Sequence, residues 1–302
     1  MPSEGSVFPC YHIPMTKRAQ SELILVICTL IWAATFPIVK HGLVDASPIV
    51  LIALRFWIAL FVMIPVCWKQ ILEIDSRTVK SGVIIGVFLF GGFLTQTIGL
   101  QYTTASKSAF ITGLLVVFTP IFQLILEARP PKKGNIIGVI LVSCGLFLLT
   151  SPQGGGFGMG DLLSVGGAVF YALYLVTLDM VTRRHSFVQL TFLQILVTAL
   201  LASASACFYE EPFVHLTPDL ILALGYLALC ATLLALFLIT KHQRQTTPTR
   251  SAVIFSLEPL FAALFSYLML SEKLGMVGML GGIVILAGLL VSELSDVLFA
   301  GK

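Results

Sequence analysis

Ten apolar runs follow one another between residues 22 and 296, at 22–40, 48–68, 79–99, 107–127, 134–150, 160–180, 187–208, 218–238, 249–270 and 276–296. Each is long enough, or nearly so, to cross roughly 30 Å of hydrocarbon. Polar turns separate them, such as Asp45-Ala-Ser-Pro48 and Glu210-Glu-Pro212. Hydrophobic residues make up 57% of the 302-residue chain and charged residues only 11%, where a soluble domain carries roughly 25% charged residues. There is too little polar surface to cover a water-soluble globule, so the bilayer is the solvent. In that solvent each run must satisfy its own backbone polar groups, and a helix does so. The expected class is an all-α membrane protein of ten transmembrane helices.

Other chemistries find little footing. The net charge of +3 is small and the basic residues form no stripe with interleaved aromatics, so no nucleic-acid partner is expected. Five of the six cysteines sit in or beside apolar runs and none forms a CxxC pair; they read as small buried hydrophobes. The five histidines lie outside the runs without ligand spacing, so no metal or other cofactor is expected. An intramembrane enzyme would need a nucleophile or paired acids within the bilayer. The runs offer one deep glutamate and one arginine, so the chain is not read as an enzyme.

Charge sets the orientation. With the N-terminus in the cytoplasm, cytoplasmic segments carry 14 of the 18 Lys and Arg; the outer side carries Lys40, Lys107 and Lys273, and Arg55 lies inside a run. Both termini are therefore expected in the cytoplasm. Residues 1–21 are polar, with Pro2, Pro9 and Pro14, and read as a cytoplasmic tail; Met1 and Met15 are both candidate starts. The run at 22–40 is read as a membrane helix rather than a cleaved signal.

The runs repeat. An offset of 143 residues sets Thr103-Thr104 on Thr246-Thr247, Lys107 on Arg250 and Ser108-Ala109 on Ser251-Ala252. An offset of 144 sets Gly134 and Gly138 on Gly278 and Gly282. Runs 1–5 (22–150) and runs 6–10 (160–296) are thus two copies of one unit, joined by a Gly-rich linker at 151–159, with a short cytoplasmic tail at 297–302. Five is odd, so the second copy crosses the membrane in the opposite sense. Inverted repeats of this kind place a substrate site near the midplane between the halves. One spacing resists. Lys107 to Pro120 is 13 residues, whereas Arg250 to Pro259 is nine. Either the first copy has gained about one helical turn, or the two prolines are not equivalent.

Residues distributed over both copies resemble the EamA-type transporters of the drug/metabolite transporter superfamily. They are Trp32-Ala-Ala-Thr-Phe-Pro37 with Lys40, Pro48 with Leu54-Arg55-Phe56, Gly99-Leu-Gln-Tyr-Thr-Thr-Ala-Ser106, Ser108-Ala-Phe-Ile-Thr-Gly113 with Pro120, Leu257-Glu258-Pro259 and Leu270-Ser-Glu272. The resemblance spans 22–296 and implies ten helices around a central cavity. It also implies transport of small metabolites, often amino acids, purines or drugs, and often export. Two positions depart from the family pattern. Ala128 stands where the first copy should match Glu272, and Phe170 stands where the second copy should match Trp32.

Candidate site residues follow. Glu258 is the one carboxylate well inside a run. A charge at that depth costs several kcal/mol, so it pairs, faces a wet cavity, or is protonated. It reads either as a contact for a substrate amine or a coupling proton, or as a side chain satisfying backbone groups freed by Pro259. Arg55 reads either as a fork for a substrate carboxylate or phosphate, or as a snorkelling or carbonyl-bound side chain. Its counterpart is Gln194, by the register Pro48–Arg55 against Phe187–Gln194. Trp32 and Phe36, four residues apart, share a helix face and, with Tyr171 and Tyr174, are candidates for stacking on a ring-bearing substrate. Gln96 is a candidate at the cavity mouth. Pro37, Pro120 and Pro259 are candidate hinges. The three small-xxx-small pairs fit packing within the bundle, with a monomer or weak homodimer expected.

The expected function is secondary active transport, as an exporter of small metabolites such as amino acids or drug-like compounds, by alternating access across a bacterial inner membrane. A proton is a candidate coupling ion. A channel is the alternative, less favoured because the sequence shows no filter-like loop or charge ring.

Overall fold

The computed structural model describes residues 16–150, 157–270 and 276–298. The tail through residue 15, most of the linker, Glu272 and the last four residues lie outside them.

Helix occupies every one of the ten apolar runs, and several runs are divided. Run 1 is α1 (Lys17–Ala33) and α2 (Thr35–Gly42); run 2 is α3 (Pro48–Leu72); run 3 is α4 (Ser76–Tyr102). Run 4 is α5 (Ala105–Gly113) and α6 (Leu115–Glu127), and run 5 is α7 (Lys133–Thr150). Run 6 is α8 (Met159–Thr182) and run 7 is α9 (Phe187–Tyr209). Run 8 begins as α10 (Pro218–Gly225), widens into a π-helix (Tyr226–Leu234), and ends as α11 (Ala235–His242) with a 3₁₀ turn. Run 9 is α12 (Pro248–Phe255) and α13 (Glu258–Leu270), and run 10 is α14 (Met276–Leu298). Seven of these helical segments are long and apolar enough to cross a membrane, and Lys133–Leu148 and Met279–Ser292 are shorter apolar helices. The one β contact among the described residues is an isolated bridge between Ala46 and Val214.

The helix starts are written locally. Thr16, Asp75, Thr104, Thr217 and Thr247 each accept a backbone N–H three residues ahead, satisfying one of the orphan donors of a first turn. Pro48, Pro218 and Pro248 open their helices, where the missing amide has no intrahelical partner to lose. Helix α6 ends on Ala128 in the left-handed conformation, at φ 52°. Pro130 and Pro131 follow it, and prolines there cannot continue a helix.

The repeat reappears in three dimensions. Thr104 caps α5 and Thr247 caps α12, and α6 at 115–127 matches α13 at 258–270 end to end. The offset stays at 143 throughout, so nothing has been inserted. The two prolines are simply not equivalent: Pro120 lies inside α6, and Pro259 is the second residue of α13. Packing follows the same two-fold relation. Helix α5 lies on α13 while α6 lies on α12, so runs 4 and 9 cross antiparallel. The self-related pairs α3 with α9 and α7 with α14 also pack directly. Glycines permit that closeness: a Cβ on Gly145 would sit 2.7 Å from the Gly281 carbonyl, and one on Gly82 would sit 2.4 Å from Leu193 Cβ. These small residues serve contacts inside the bundle.

The three prolines singled out as candidate hinges divide into two kinds. Pro37 and Pro259 lie in the first turns of α2 and α13, just after breaks in the chain. Pro120 alone is inside a helical segment, where it frees a carbonyl one turn back. A fourth proline, Pro65, sits inside α3 beside non-helical Cys67 (φ −114°, ψ 18°) and bends that helix.

Candidate functional site

Three broken helices meet at one cavity. The breaks fall at Ala34, at Leu114 and at Ser256–Leu257. Trp32 and Thr35 flank the first, Thr112 and Leu115 the second, Phe255 and Glu258 the third, and all six line the cavity. Arg55 of α3, Phe93 and Gln96 of α4, and Tyr171, Tyr174 and Leu175 of α8 complete the wall. Both copies of the repeat therefore contribute, and the space lies on their seam. It amounts to about 40 Å³, room for a few waters and far below the roughly 300–1,000 Å³ of a small-molecule site. In this conformation the cavity is small.

The wall is built from unlike pairs. An offset of 139, set by Arg55 and Gln194, relates Trp32 to Tyr171 and Thr35 to Tyr174; the offset of 143 relates Thr112 to Phe255 and Leu115 to Glu258. Tyr171, rather than Phe170, thus takes Trp32's place on the cavity wall. Phe170 packs instead on Gly91, where a Cβ would approach its ring to 2.7 Å. Neighbouring Gly92 makes the matching room for Tyr171, at 2.5 Å.

Glu258 stands apart electrostatically. It is 8% exposed and begins α13, where the positive end of a helix favours a carboxylate. Pro259 lies in the same first turn, whose amides have no intrahelical acceptor in any case. Among the described residues no hydrogen bond runs from the Glu258 side chain to a backbone group. Among the described residues the carboxylate has no hydrogen-bond or ion-pair partner, although it faces the cavity that Arg55 also lines.

Arg55 is held. Its Nε donates to Thr232 Oγ1 and its Nη2 to the Ala231 carbonyl at 3.1 Å. The guanidinium lies over the Phe93 ring, 4.6 Å from the centroid. Trp32 Nε1 donates to the same Ala231 carbonyl at 2.9 Å. Ala231 belongs to the π-helical stretch, whose wider turns disturb the usual carbonyl pairing and recur at functional sites. At 4% exposure Arg55 does not snorkel. It is a carbonyl-bound arginine on the cavity wall, and the carbonyl comes from mid-helix rather than a helix end.

The remaining polar groups form short chains. Tyr171 Oη donates to Gln96 Oε1 at 3.2 Å, and Gln96 Nε2 to Thr112 Oγ1 at 3.1 Å, tying α8 to α5 through α4. Tyr174 Oη donates to Gln194 Oε1 at 2.8 Å, and Gln194 Nε2 to Thr240 Oγ1 at 2.9 Å. Trp32 also packs on Phe255, with ring centroids 5.5 Å apart.

Of the residues singled out in the sequence, Trp32, Arg55, Gln96, Tyr171, Tyr174 and Glu258 come together on this wall. Phe36 does not. The break at Ala34 puts it in a different helical segment from Trp32, so the four-residue spacing no longer sets one face. Its ring is 2% exposed and joins a second core with Val39, Leu51, Leu100 and Leu227. The sequence reading missed Thr35, Phe93, Thr112, Leu115, Leu175 and Phe255 as wall residues. Thr35 was within reach: it is the repeat partner of Tyr174. Phe93 and Leu175 carry no such mark among so many apolar residues.

The model of the EamA-like transporter family matches residues 20–151 and 158–294. The chain belongs to the EamA-like transporter family. A protein named as an uncharacterized transporter in Archaeoglobus fulgidus is 33% identical over 278 residues, 92% of this chain and 87% of that protein. A protein named as an S-adenosylmethionine/S-adenosylhomocysteine transporter in Chlamydia muridarum is 26% identical over 263 residues, 80% of this chain and 82% of its own. A crystal structure at 20% identity superposes with a TM-score of 0.76, covering 92% of this chain and 98% of that one, a likeness of fold. The protein is a multi-pass membrane transporter.

Proposed function

We propose that this chain is a secondary active exporter of small metabolites, such as amino acids or drug-like compounds, working by alternating access across the cytoplasmic membrane. The observation that carries the reading is the small cavity on the seam of the two repeats, where three helices break and a carboxylate stands without a partner among the described residues. An unpartnered acid at that depth must receive a proton or a cationic group. Breaks at the cavity give the halves points at which to bend; Pro37 and Pro259 lie just after two of them, and Pro120 offers a further bend inside α6.

In this reading Trp32, Tyr171 and Phe255 offer ring faces to substrate, Arg55 fixes the wall through the π-helical stretch, and Glu258 exchanges a proton against a substrate cation. Both termini lie in the cytoplasm, on the charge bias of the loops. The family affiliation supports transport rather than catalysis. The relative named for S-adenosylmethionine, itself a cation with a purine ring, supports including charged, ring-bearing metabolites among the candidates.

The test is a metabolite panel on cells with and without the protein, followed by flux of each hit into proteoliposomes. Saturable flux of a ring-bearing or amine metabolite is the expected result. A panel without differences, and no flux for any member, refutes the reading.

A further inference from the structure

Two ion pairs sit at repeat-related positions at opposite ends of the bundle. At one end Lys107 Nζ meets Asp161 Oδ2 at 2.6 Å, and Thr103 Oγ1 donates to Asp161 Oδ1 at 2.9 Å. At the other, Arg250 Nε meets Glu22 Oε1 at 2.9 Å, and Thr246 Oγ1 donates to the same oxygen at 3.3 Å. Thr103 and Thr246, and Lys107 and Arg250, are related by the offset of 143; Glu22 and Asp161 by the offset of 139. The next threonines, Thr104 and Thr247, cap the helices that carry the two bases. Each set thus joins the start of a broken helix in one copy to the start of run 6 or run 1 in the other.

Their placement relative to the cavity gives them a role. The pair Lys107–Asp161 ties α5 to α8, and α8 carries Tyr171 and Tyr174. The pair Arg250–Glu22 ties α12 to α1, and α1 carries Trp32. Both bonds therefore span the seam, one beyond each end of the space that Glu258 lines. Both are formed while that space holds only about 40 Å³. A bundle that opened at either end by parting the copies would have to break the pair at that end and could keep the other.

We propose that these are the two latches of the transporter: Lys107–Asp161 closes the outer end, Arg250–Glu22 closes the cytoplasmic end, and the cavity opens to one side only when that side's latch is broken. This rests on the alternating-access reading and adds the residues that enforce it. The latches differ in strength. Both carboxylates are buried, Asp161 at 3% and Glu22 at 11% exposure, and Asp161 also accepts the Gly158 N–H at 2.8 Å; the bases differ, Lys107 being 37% exposed and Arg250 3%. The inner carboxylate also receives Arg18 Nε at 2.9 Å, and Arg250 Nη1 reaches the Ser292 carbonyl of α14 at 3.3 Å. Breaking a buried pair costs more than breaking a half-exposed one. The inner end is thus the harder to open.

The experiment places a single cysteine in the cavity, Thr35→Cys, in a full-length chain lacking its native cysteines. A membrane-impermeant maleimide is applied to right-side-out and to inverted vesicles. No substrate is needed. Asp161→Asn is expected to raise labelling from outside about two- to fivefold and lower it from the cytoplasmic side, and Glu22→Gln to do the reverse by about tenfold or more. The charge exchange Lys107→Asp with Asp161→Lys should return labelling toward the parent ratio, which a merely misfolded variant would not do. If the parent cysteine is labelled from both sides but neither variant moves the ratio, or both move it the same way, the latches are overturned and alternating access stands. Labelling of the parent from one side only, whatever the variant, overturns both.

Discussion

Glu258 shows how far one residue constrains a mechanism. A carboxylate buried beside aromatic rings, with no partner among the described residues, is costly unless a proton or a ligand completes it. Glu258→Gln keeps the shape and removes the charge, so flux driven by a pH gradient should lose its pH dependence while exchange of substrate across the membrane persists. Uptake with unchanged pH dependence would exclude the proton role. Arg55 makes a different prediction. Its guanidinium holds Thr232 and the Ala231 carbonyl in one grip, and losing a partner from a buried charged hydrogen bond costs about 1–3 kcal/mol. Arg55→Lys keeps the charge but cannot reproduce the two-pronged geometry, so thermal stability in detergent should fall by an amount of that order. A melting temperature equal to the parent's would contradict the grip described here. Glu258 was legible in the sequence because a lone charge in an apolar run is conspicuous. Arg55's partner was not, because nothing in Tyr226–Leu234 announces a π-helix.

At the scale of elements, the breaks organise the site. Their sequence marks are slight: Ala34, Leu114 and Ser256–Leu257 are ordinary residues, and only Pro37 and Pro259 stand nearby. The repeat register carried more information than the prolines did. It related α5–α6 to α12–α13 without a gap, and by extension it pairs eight of the wall residues. Phe36 was misplaced for the converse reason, since helical periodicity was carried across a break. Close approach of α4 and α8 gives a sharp prediction. A Cβ on Gly92 would lie 2.5 Å from the Tyr171 ring, and overpacking of this kind costs about 1–3 kcal/mol. Gly92→Ala should therefore displace Tyr171 from Gln96, lowering substrate affinity more than it lowers expression; unaltered flux would argue against Tyr171 as part of the wall. At the end of α6, Ala128 adopts φ 52°, a conformation costing an L-residue about 1–2 kcal/mol that glycine avoids. Ala128→Gly should raise thermal stability, and a fall would show that the alanine methyl makes an unrecognised contact.

The whole molecule is a symmetric frame around an asymmetric interior. Ten apolar runs, an odd-numbered repeat and a one-sided charge distribution made the membrane class and the two-copy plan readable from the chain alone. The pairing of α3 with α9 and α7 with α14, and the crossing of runs 4 and 9, are what an inverted repeat demands. Inside that frame the equivalent positions differ in kind: glutamate corresponds to leucine, arginine to glutamine, tryptophan to tyrosine. In the function proposed above, the frame would supply two equivalent ways to open, and the unlike wall a binding surface with a direction. Which apolar residues join that wall depended on how helices from both halves meet, and that information is spread over long-range packing rather than held in any local motif. The most direct measurement is flux, in proteoliposomes, of a metabolite that accumulates in cells lacking the protein. Saturable flux is expected for the parent chain, with a loss of at least about tenfold in both Glu258→Gln under a pH gradient and Trp32→Ala. Flux that survives both changes undiminished would mean that substrate does not pass through the cavity on the seam.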